Sequence, residues 1–184
     1  MKNFKQANKG RAFEEFIRTS NRRYRYFGEA LVEKVPTEFL PIRDPMGRVI
    51  SCKVEGKSSV DFLGRVGSRP IAVEAKHTSS NRIRWDEVTP HQADYLRDFI
   101  AGGSGIGLVL VSFSLQRFYA VPARFWLAAR KAWEEAPKSR PTIQHDGAVW
   151  TGNGKASVEP SELLPEWEVQ MSARIGLDYL RRYL

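Results

Sequence analysis

The 184-residue sequence holds a single cysteine, Cys52, and only three histidines, His77, His91 and His145, set well apart. One cysteine excludes an internal disulfide and a cysteine-based zinc site, and scattered histidines argue against a histidine-rich metal cluster. Long apolar runs are missing as well. The longest, Ile106–Val111, has the length of a strand and falls far short of the ~20 residues of a membrane span. No apolar segment follows the basic start Met1-Lys2-Asn3-Phe4-Lys5, so no signal peptide is read there and a cytoplasmic location is expected. Hydrophobic residues still make up 42% of the chain, which excludes a disordered composition and supplies a core for one domain.

Acidic residues are in short supply relative to basic ones, and the net charge is +8. The surplus is uneven. Residues 1–84 carry 18 Lys/Arg against 9 Asp/Glu, whereas the remaining residues carry 11 against 12. Arginine outnumbers lysine, and its planar fork matches phosphate oxygens and stacks on bases. A nucleic-acid partner is therefore expected, with the first half of the chain supplying the contacts.

Residues 1–8 are polar, basic and aperiodic, and read as a loose arm. From Lys9 to Phe27, Phe13, Phe16, Ile17, Tyr24 and Phe27 recur at helical spacing, with Gly28 as the stop. Ala30–Val35 reads as a strand. Pro36, Pro41, Pro45 and Gly47 then break regularity before a second strand-like piece, Arg48–Val54, so Pro36–Lys57 is expected to form a projecting arm or hairpin. Strands are expected over Ser59–Leu63 and Pro70–Lys76, joined by a turn at Gly64–Arg69. Thr89-Pro90 marks a helix start that runs to Gly102-Gly103. Ile106–Phe113 reads as a strand covered on both faces, Arg117–Val121 as its partner, and Pro122–Glu135 as a helix. Residues 137–169 carry no clear assignment, and a short segment spans Ala173–Tyr183. This order predicts an α/β domain with a central mixed sheet.

Three residues concentrate the chemistry. On a strand, alternate side chains share a face, so Glu74 and Lys76 point together, and Asp61 reaches the same face if its strand pairs with theirs. Two carboxylates supply hard oxygen ligands for Mg²⁺ or Mn²⁺, and a lysine beside them can orient water or stabilise charge on a phosphate. Glu14, on the first helix, is a fourth candidate. The spacing alone equally fits a surface ion pair with Asp61 capping a turn. The apolar approach Ile71-Ala72-Val73 favours the site, because charge at the end of a buried strand is costly without a partner or an ion. His77 points to the other face and reads as structural. Trp85, Trp126, Trp133, Trp150 and Trp167 read by default as core or dimer-contact residues, and Trp85, among Arg82, Arg84 and Asp86, is the one that is also a candidate for stacking on a base. Gln92 opens a helix beside the site, where orienting a phosphate and capping the helix are equally open.

Gly10-Arg11-Ala12-Phe13-Glu14, Ser58-Ser59-Val60-Asp61-Phe62 and Val73-Glu74-Ala75-Lys76 together resemble the PD-(D/E)xK nuclease signature, and most nearly that of the RecU-type Holliday-junction resolvases. The pair His91-Gln92 and the ending Ala173-Arg174-Ile175 to Asp178-Tyr179-Leu180 resemble that family too. The chain departs from it in carrying Ser59-Val60 where the family tends to have threonines, and in lacking a proline before Asp61. The resemblance implies a restriction-endonuclease-like fold, metal binding by Asp61 and Glu74, Lys76 as the catalytic lysine and Glu14 completing the site. It also implies a Mg²⁺-dependent homodimer whose Pro36–Lys57 stalks enter a four-way DNA junction, with Arg43, Arg48, Lys53 and Lys57 touching the crossing strands. Arg11, Arg22, Arg23, Arg82, Arg84 and Gln92 are further candidate DNA contacts.

Two other readings stand beside the resolvase: a different PD-(D/E)xK nuclease acting on linear duplex, and a non-catalytic DNA-binding protein assisting recombination. For the dimer, apolar surface from Ile106–Val121 and the helix near Phe125 and Trp126 is the expected interface.

Overall fold

The computed structural model describes residues 2–36, 39–54, 59–136, 138–145 and 147–184, with backbone alone for residues 2–8, 39 and 54. The chain opens with a long helix, α1 (Lys2–Tyr26). Then come strands β1 (Ala30–Lys34), β2 (Phe39–Arg43), β3 (Val49–Val54), β4 (Phe62–Val66), β5 (Arg69–Thr78) and β6 (Ile83–Arg84). Helix α2 (Pro90–Ala101), β7 (Ile106–Phe113), β8 (Arg117–Pro122) and α3 (Ala123–Glu135) follow. Short strands β9 (Thr142–His145), β10 (Ala148–Thr151) and β11 (Ser157–Val158) belong to the C-terminal part.

Five strands form the central mixed sheet in the order β1-β4-β5-β7-β8. Only β5 and β7 run parallel, joined through α2; the other pairs are antiparallel. Every residue of β7 is buried, as a strand covered on both faces requires. Side chains alternate between two cores. Ile71, Val73, Ile106, Leu108 and Leu110 meet Phe13, Ile17 and Tyr24 of α1. Ala72, Val109 and Val111 meet Leu96 of α2 and Trp126 of α3. Where β4 passes β1, only glycine fits: a Cβ on Gly64 would lie 1.9 Å from the Leu31 carbonyl oxygen. The strand therefore runs straight through a residue whose type suggests a turn, and the turn falls at Gly67, which holds a positive φ of 57°.

Three expectations need correction. Residues 2–8, expected as a loose arm, are the first two turns of α1. Lysine and glutamine in that stretch are good helix formers, so an aperiodic pattern did not prevent the helix from extending. Trp85, the candidate base-stacker, is 2% exposed and packs edge-on against Trp126 and Trp150. The large apolar side chains of Ile106–Val121 and of the helix near Phe125 and Trp126, expected at a dimer interface, are mostly interior: β7 is buried throughout, and Phe125 and Trp126 lie in the α2–α3 core with Val121. Residues 137–169, without an assignment from sequence, complete that core. Ala148, Trp150, Val158, Leu163 and Trp167 are all buried in it, and β11 pairs with β6. Three indole N–H groups are satisfied by carbonyls: Trp85 by Lys155, Trp126 by Trp85 and Trp150 by Glu162.

β2 and β3 form a separate hairpin whose partners include Pro41 opposite Cys52. At its tip the Asp44 carboxylate accepts from the Met46 and Arg48 backbone N–H groups at 2.9 Å. Leu40, Ile42, Met46, Val49 and Ile50 are all exposed, so both faces of the hairpin stand in solvent.

Trp150→Ala tests whether the C-terminal part belongs to the core. It should destabilise the whole fold by about 3–5 kcal/mol in urea titrations, with one cooperative transition. A loss under 1 kcal/mol would mean that residues 137–169 merely lie against a core that stands without them.

Candidate active site

The site is built where β4, β5, β1, α1 and the start of α2 meet. Asp61 immediately precedes β4, and its Oδ2 accepts from the Ala75 backbone N–H of β5 at 2.9 Å. Its own carbonyl accepts from the Val35 N–H at 2.9 Å, so the residue is clamped between two strands. Glu74 lies near the middle of β5 and is 1% exposed. Its Oε1 accepts from Gln92 Nε2 at 2.7 Å and pairs with Lys76 Nζ at 2.8 Å. Its Oε2 is buried with no hydrogen-bond partner among the described residues. Burial, then the nearby charge of Asp61, push the Glu74 carboxyl up to about 7, with Lys76 opposing them.

Gln92 is held by the capping box that starts α2. Its Oε1 accepts from the Thr89 N–H at 3.0 Å, and the Thr89 side chain accepts from the Gln92 N–H. The same Oε1 accepts from Lys76 Nζ at 3.2 Å. Of the roles left open for Gln92, the cap is the one seen here, and the capped amide also holds Glu74 and Lys76. His91 beside it is exposed. His77, on the other face, pairs its Nδ1 with Ser112 Oγ at 3.1 Å, and burial followed by Lys9 lowers its pKa.

Glu14 reaches the site through a residue that the sequence reading did not single out. Lys34 Nζ lies 2.5 Å from Glu14 Oε2 and 3.7 Å from Asp61 Oδ1, joining α1 to the carboxylates. The signal was present in the alternation of β1, which puts Lys34 on the inward face of Ala30 and Val32. The same helix carries Arg11, Glu14, Arg18, Arg22 and Arg25 at intervals of 3, 4, 4 and 3, a single stripe on one face. Arg18, Arg22 and Arg25 line a groove of about 560 Å³ that ends at Lys34 and Pro36. Arg18 and Arg25 were not among the candidates. Arg23, which was, points elsewhere and donates to the Ala173 carbonyl.

Other candidate contacts are dispersed. Arg82 pairs with Glu159, and Arg84 forms a forked pair with Asp86 at 2.7–2.8 Å. On the hairpin, Arg43 donates to the Gly47 carbonyl, Arg48 pairs with Asp44 at 2.7 Å, and Lys53 lies on exposed β3. Lys57 falls outside the described residues.

The donor set suits a hard divalent cation. Two carboxylates adjoin, one offers a buried oxygen without a partner, and burial of both charges is relieved by a cation between them. Among the described residues no third His, Cys, Asp or Glu joins them, so Asp61 and Glu74 would hold an ion that keeps several waters, as Mg²⁺ does.

A mixed sheet with paired carboxylates and a lysine on adjoining strands is an arrangement suited to metal-assisted hydrolysis of a phosphodiester. The model of the family RecU, Recombination protein U, matches residues 8–181, and the chain belongs to that family of Holliday-junction resolvases. Among solved structures, Hjc, a Holliday junction resolvase from the archaeal hyperthermophile Archaeoglobus fulgidus, is a distant likeness. It has 11% identity and a TM-score of 0.44 over 83% of this chain and 85% of its own. No curated protein matches the chain.

The raised Glu74 carboxyl makes metal-free stability pH-dependent. The folded state holds this proton up to about pH 7, whereas an unfolded glutamate releases it near 4.5, so its contribution is lost as pH rises between them. In EDTA at pH 8, Glu74→Gln should be more stable than the native chain by roughly 1–3 kcal/mol, and the difference should vanish below pH 4.5. Urea titrations at the two pH values check this. An equal effect at both would show that Glu74 ionises normally.

Proposed function

We propose that Asp61, Glu74 and Lys76, with Glu14 and Gln92 supporting them, cut the DNA of four-way junctions with the help of a divalent cation. The observation that carries this reading is Glu74: a buried carboxylate on the central strand, one oxygen occupied by Gln92 and Lys76 and the other left over beside Asp61. A bound cation, which we take to be Mg²⁺ with Mn²⁺ able to replace it, would activate water and offset charge gathering on the phosphate. Asp61 and Glu74 position that ion. Gln92 and Glu74 direct Lys76 through the two contacts at its Nζ, leaving the third ammonium proton for a phosphate oxygen or the attacking water. Lys34 keeps Glu14 and Asp61 together and adds positive charge where a phosphate approaches. The arginine groove continues from there along α1 and suits the backbone of one DNA arm.

A four-way junction has approximate two-fold symmetry, and two matched nicks call for two matched sites. A C2 homodimer supplies them. The β2–β3 hairpin supports this assembly better than the sheet does. A lone two-stranded hairpin is marginally stable in water, and this one shows apolar side chains on both faces. In the reading proposed, hairpins from the two subunits enter the open centre of the junction, where Arg43, Arg48 and Lys53 meet the crossing strands, and a linear duplex offers no such opening.

Labelled four-way, forked and linear DNA incubated with Mg²⁺ provides the direct test. Paired symmetric cuts are expected on the four-way substrate. Asp61→Asn, Glu74→Gln and Lys76→Ala should each lower cleavage by at least about 10²-fold while junction affinity stays within about threefold, because affinity comes from many basic contacts. Near-native cleavage by any one of them would remove that residue from the mechanism.

Replacing residues 42–55 by a Gly-Ser turn should leave the fold intact. Junction preference over duplex should fall by at least about tenfold, or about 1.4 kcal/mol, in competition binding. Sedimentation reports the dimer in the same samples. An undiminished preference would place shape selection elsewhere, and a monomeric native chain would remove the two-fold arrangement.

A further inference from the structure

At the other end of β5 lies a second cavity, of about 230 Å³, that shares no residue with the carboxylate site. Arg69 begins β5 five residues before Glu74, which at strand spacing is about 17 Å away. The starts of β7 and α3, the turn after α2 and the C-terminal residues enclose it. Arg69, Arg124 and Arg182 line the cavity together with His145, and no Asp or Glu is among the described residues that line it.

Elsewhere in the molecule many arginines are already paired. Arg82, Arg84, Arg97, Arg117 and Arg130 each hold a neighbouring carboxylate. In the cavity, Arg69 Nη2 donates to the Tyr183 carbonyl at 2.7 Å while the guanidinium lies over the Tyr183 ring. Those two contacts fix the fork and leave its remaining N–H groups for another acceptor. Arg124 is exposed and forms no hydrogen bond or ion pair among the described residues. Arg182 alone is paired, through one nitrogen at 3.3 Å from Glu166, which is not part of the lining. The rest of the lining includes the turn Gly103-Ser104-Gly105 together with Ile100, Ile106 and Phe125. The first turn of α3, which no side chain caps, adds the positive end of its dipole.

Three arginines around one partly open cavity make a locally positive surface that an anion would neutralise, and arginine forks match tetrahedral oxyanions with several donors at once. We propose that this cavity binds a phosphate group, separately from the nuclease centre. The phosphate can come from the backbone of a DNA arm or from a free phosphorylated small molecule, and the chemistry of recognition is the same for both.

Arginine labelling by phenylglyoxal, mapped by mass spectrometry on the full chain, tests the site. Inorganic phosphate at millimolar concentration should protect Arg69, Arg124 and Arg182 at least about fivefold over a chloride control, and Arg18 and Arg22 much less. Arg124→Gln, whose fold is checked by its melting curve, should weaken protection of Arg69 and Arg182 by phosphate about tenfold in apparent affinity. Repeating the labelling with linear duplex and with deoxyadenosine monophosphate separates the sources. Protection by duplex, with a salt slope for duplex binding about one unit shallower in Arg124→Gln, assigns the site to DNA. Protection by the nucleotide alone assigns it to a free ligand. Equal labelling with phosphate and chloride, protection no greater than that of Arg18 and Arg22, or protection unaltered in Arg124→Gln would each overturn the proposal.

Discussion

Glu74 occupies a position on the central strand that the sheet would otherwise fill with an apolar side chain, and its charge there must be met. Gln92 and Lys76 meet half of it, at one oxygen, and a cation suits the other. Each supporting element answers the same need. The capping box of α2 exists in a form that presents an amide to Glu74, and the clamp on Asp61 sets a second carboxylate near enough to raise the Glu74 pKa. Without the strand pairing of β4 to β5, and the parallel seating of β7 beside β5, these groups would not share one space.

How legible this was depended on how local each signal is. Thr89-Pro90 marked the start of α2 because capping involves residues three apart, and the structure uses that cap. Ile106–Phe113 was legible because a doubly covered strand needs an unbroken apolar run. Asp61, Glu74 and Lys76 were readable as a set, since alternation along β5 fixes two of them on one face. Lys34 was harder: its inward direction follows from alternation, but its partners on α1 and before β4 are 20 and 27 residues away. The tail from residue 137 gave still less, because its two-residue and four-residue strands carry too few positions for any period to emerge. What identifies it is where Trp150 and Trp167 go, which is a tertiary fact.

β4 shows how one residue type can mislead. Glycine suggested a turn at position 64, yet the structure uses its missing side chain for close approach to Leu31 and places the turn at Gly67. Charge misled in a similar way around Trp85. Arg82 and Arg84 flank the indole as a DNA contact would require, but both bind carboxylates of their own surroundings while the ring goes inward. Arginines in a stripe, as on α1, carried more meaning than arginines in a cluster.

Helix α1 is tied to the far end of the chain. The Leu177 N–H donates to Ser20 Oγ, the Leu180 N–H to Tyr24 Oη, and Tyr179 Oη to the Asn21 side chain. Ile175, Leu177 and Leu180 fill the same core as Phe13 and Ile17. These contacts span more than 150 residues of sequence, so the packing of the helix bearing Glu14, begun by the strands of the sheet, is finished by residues 175–180. Residues far beyond Asp61, Glu74 and Lys76 in sequence thus brace the helix that carries Glu14, so the wall on which Glu14 meets Lys34 is held from both halves of the chain.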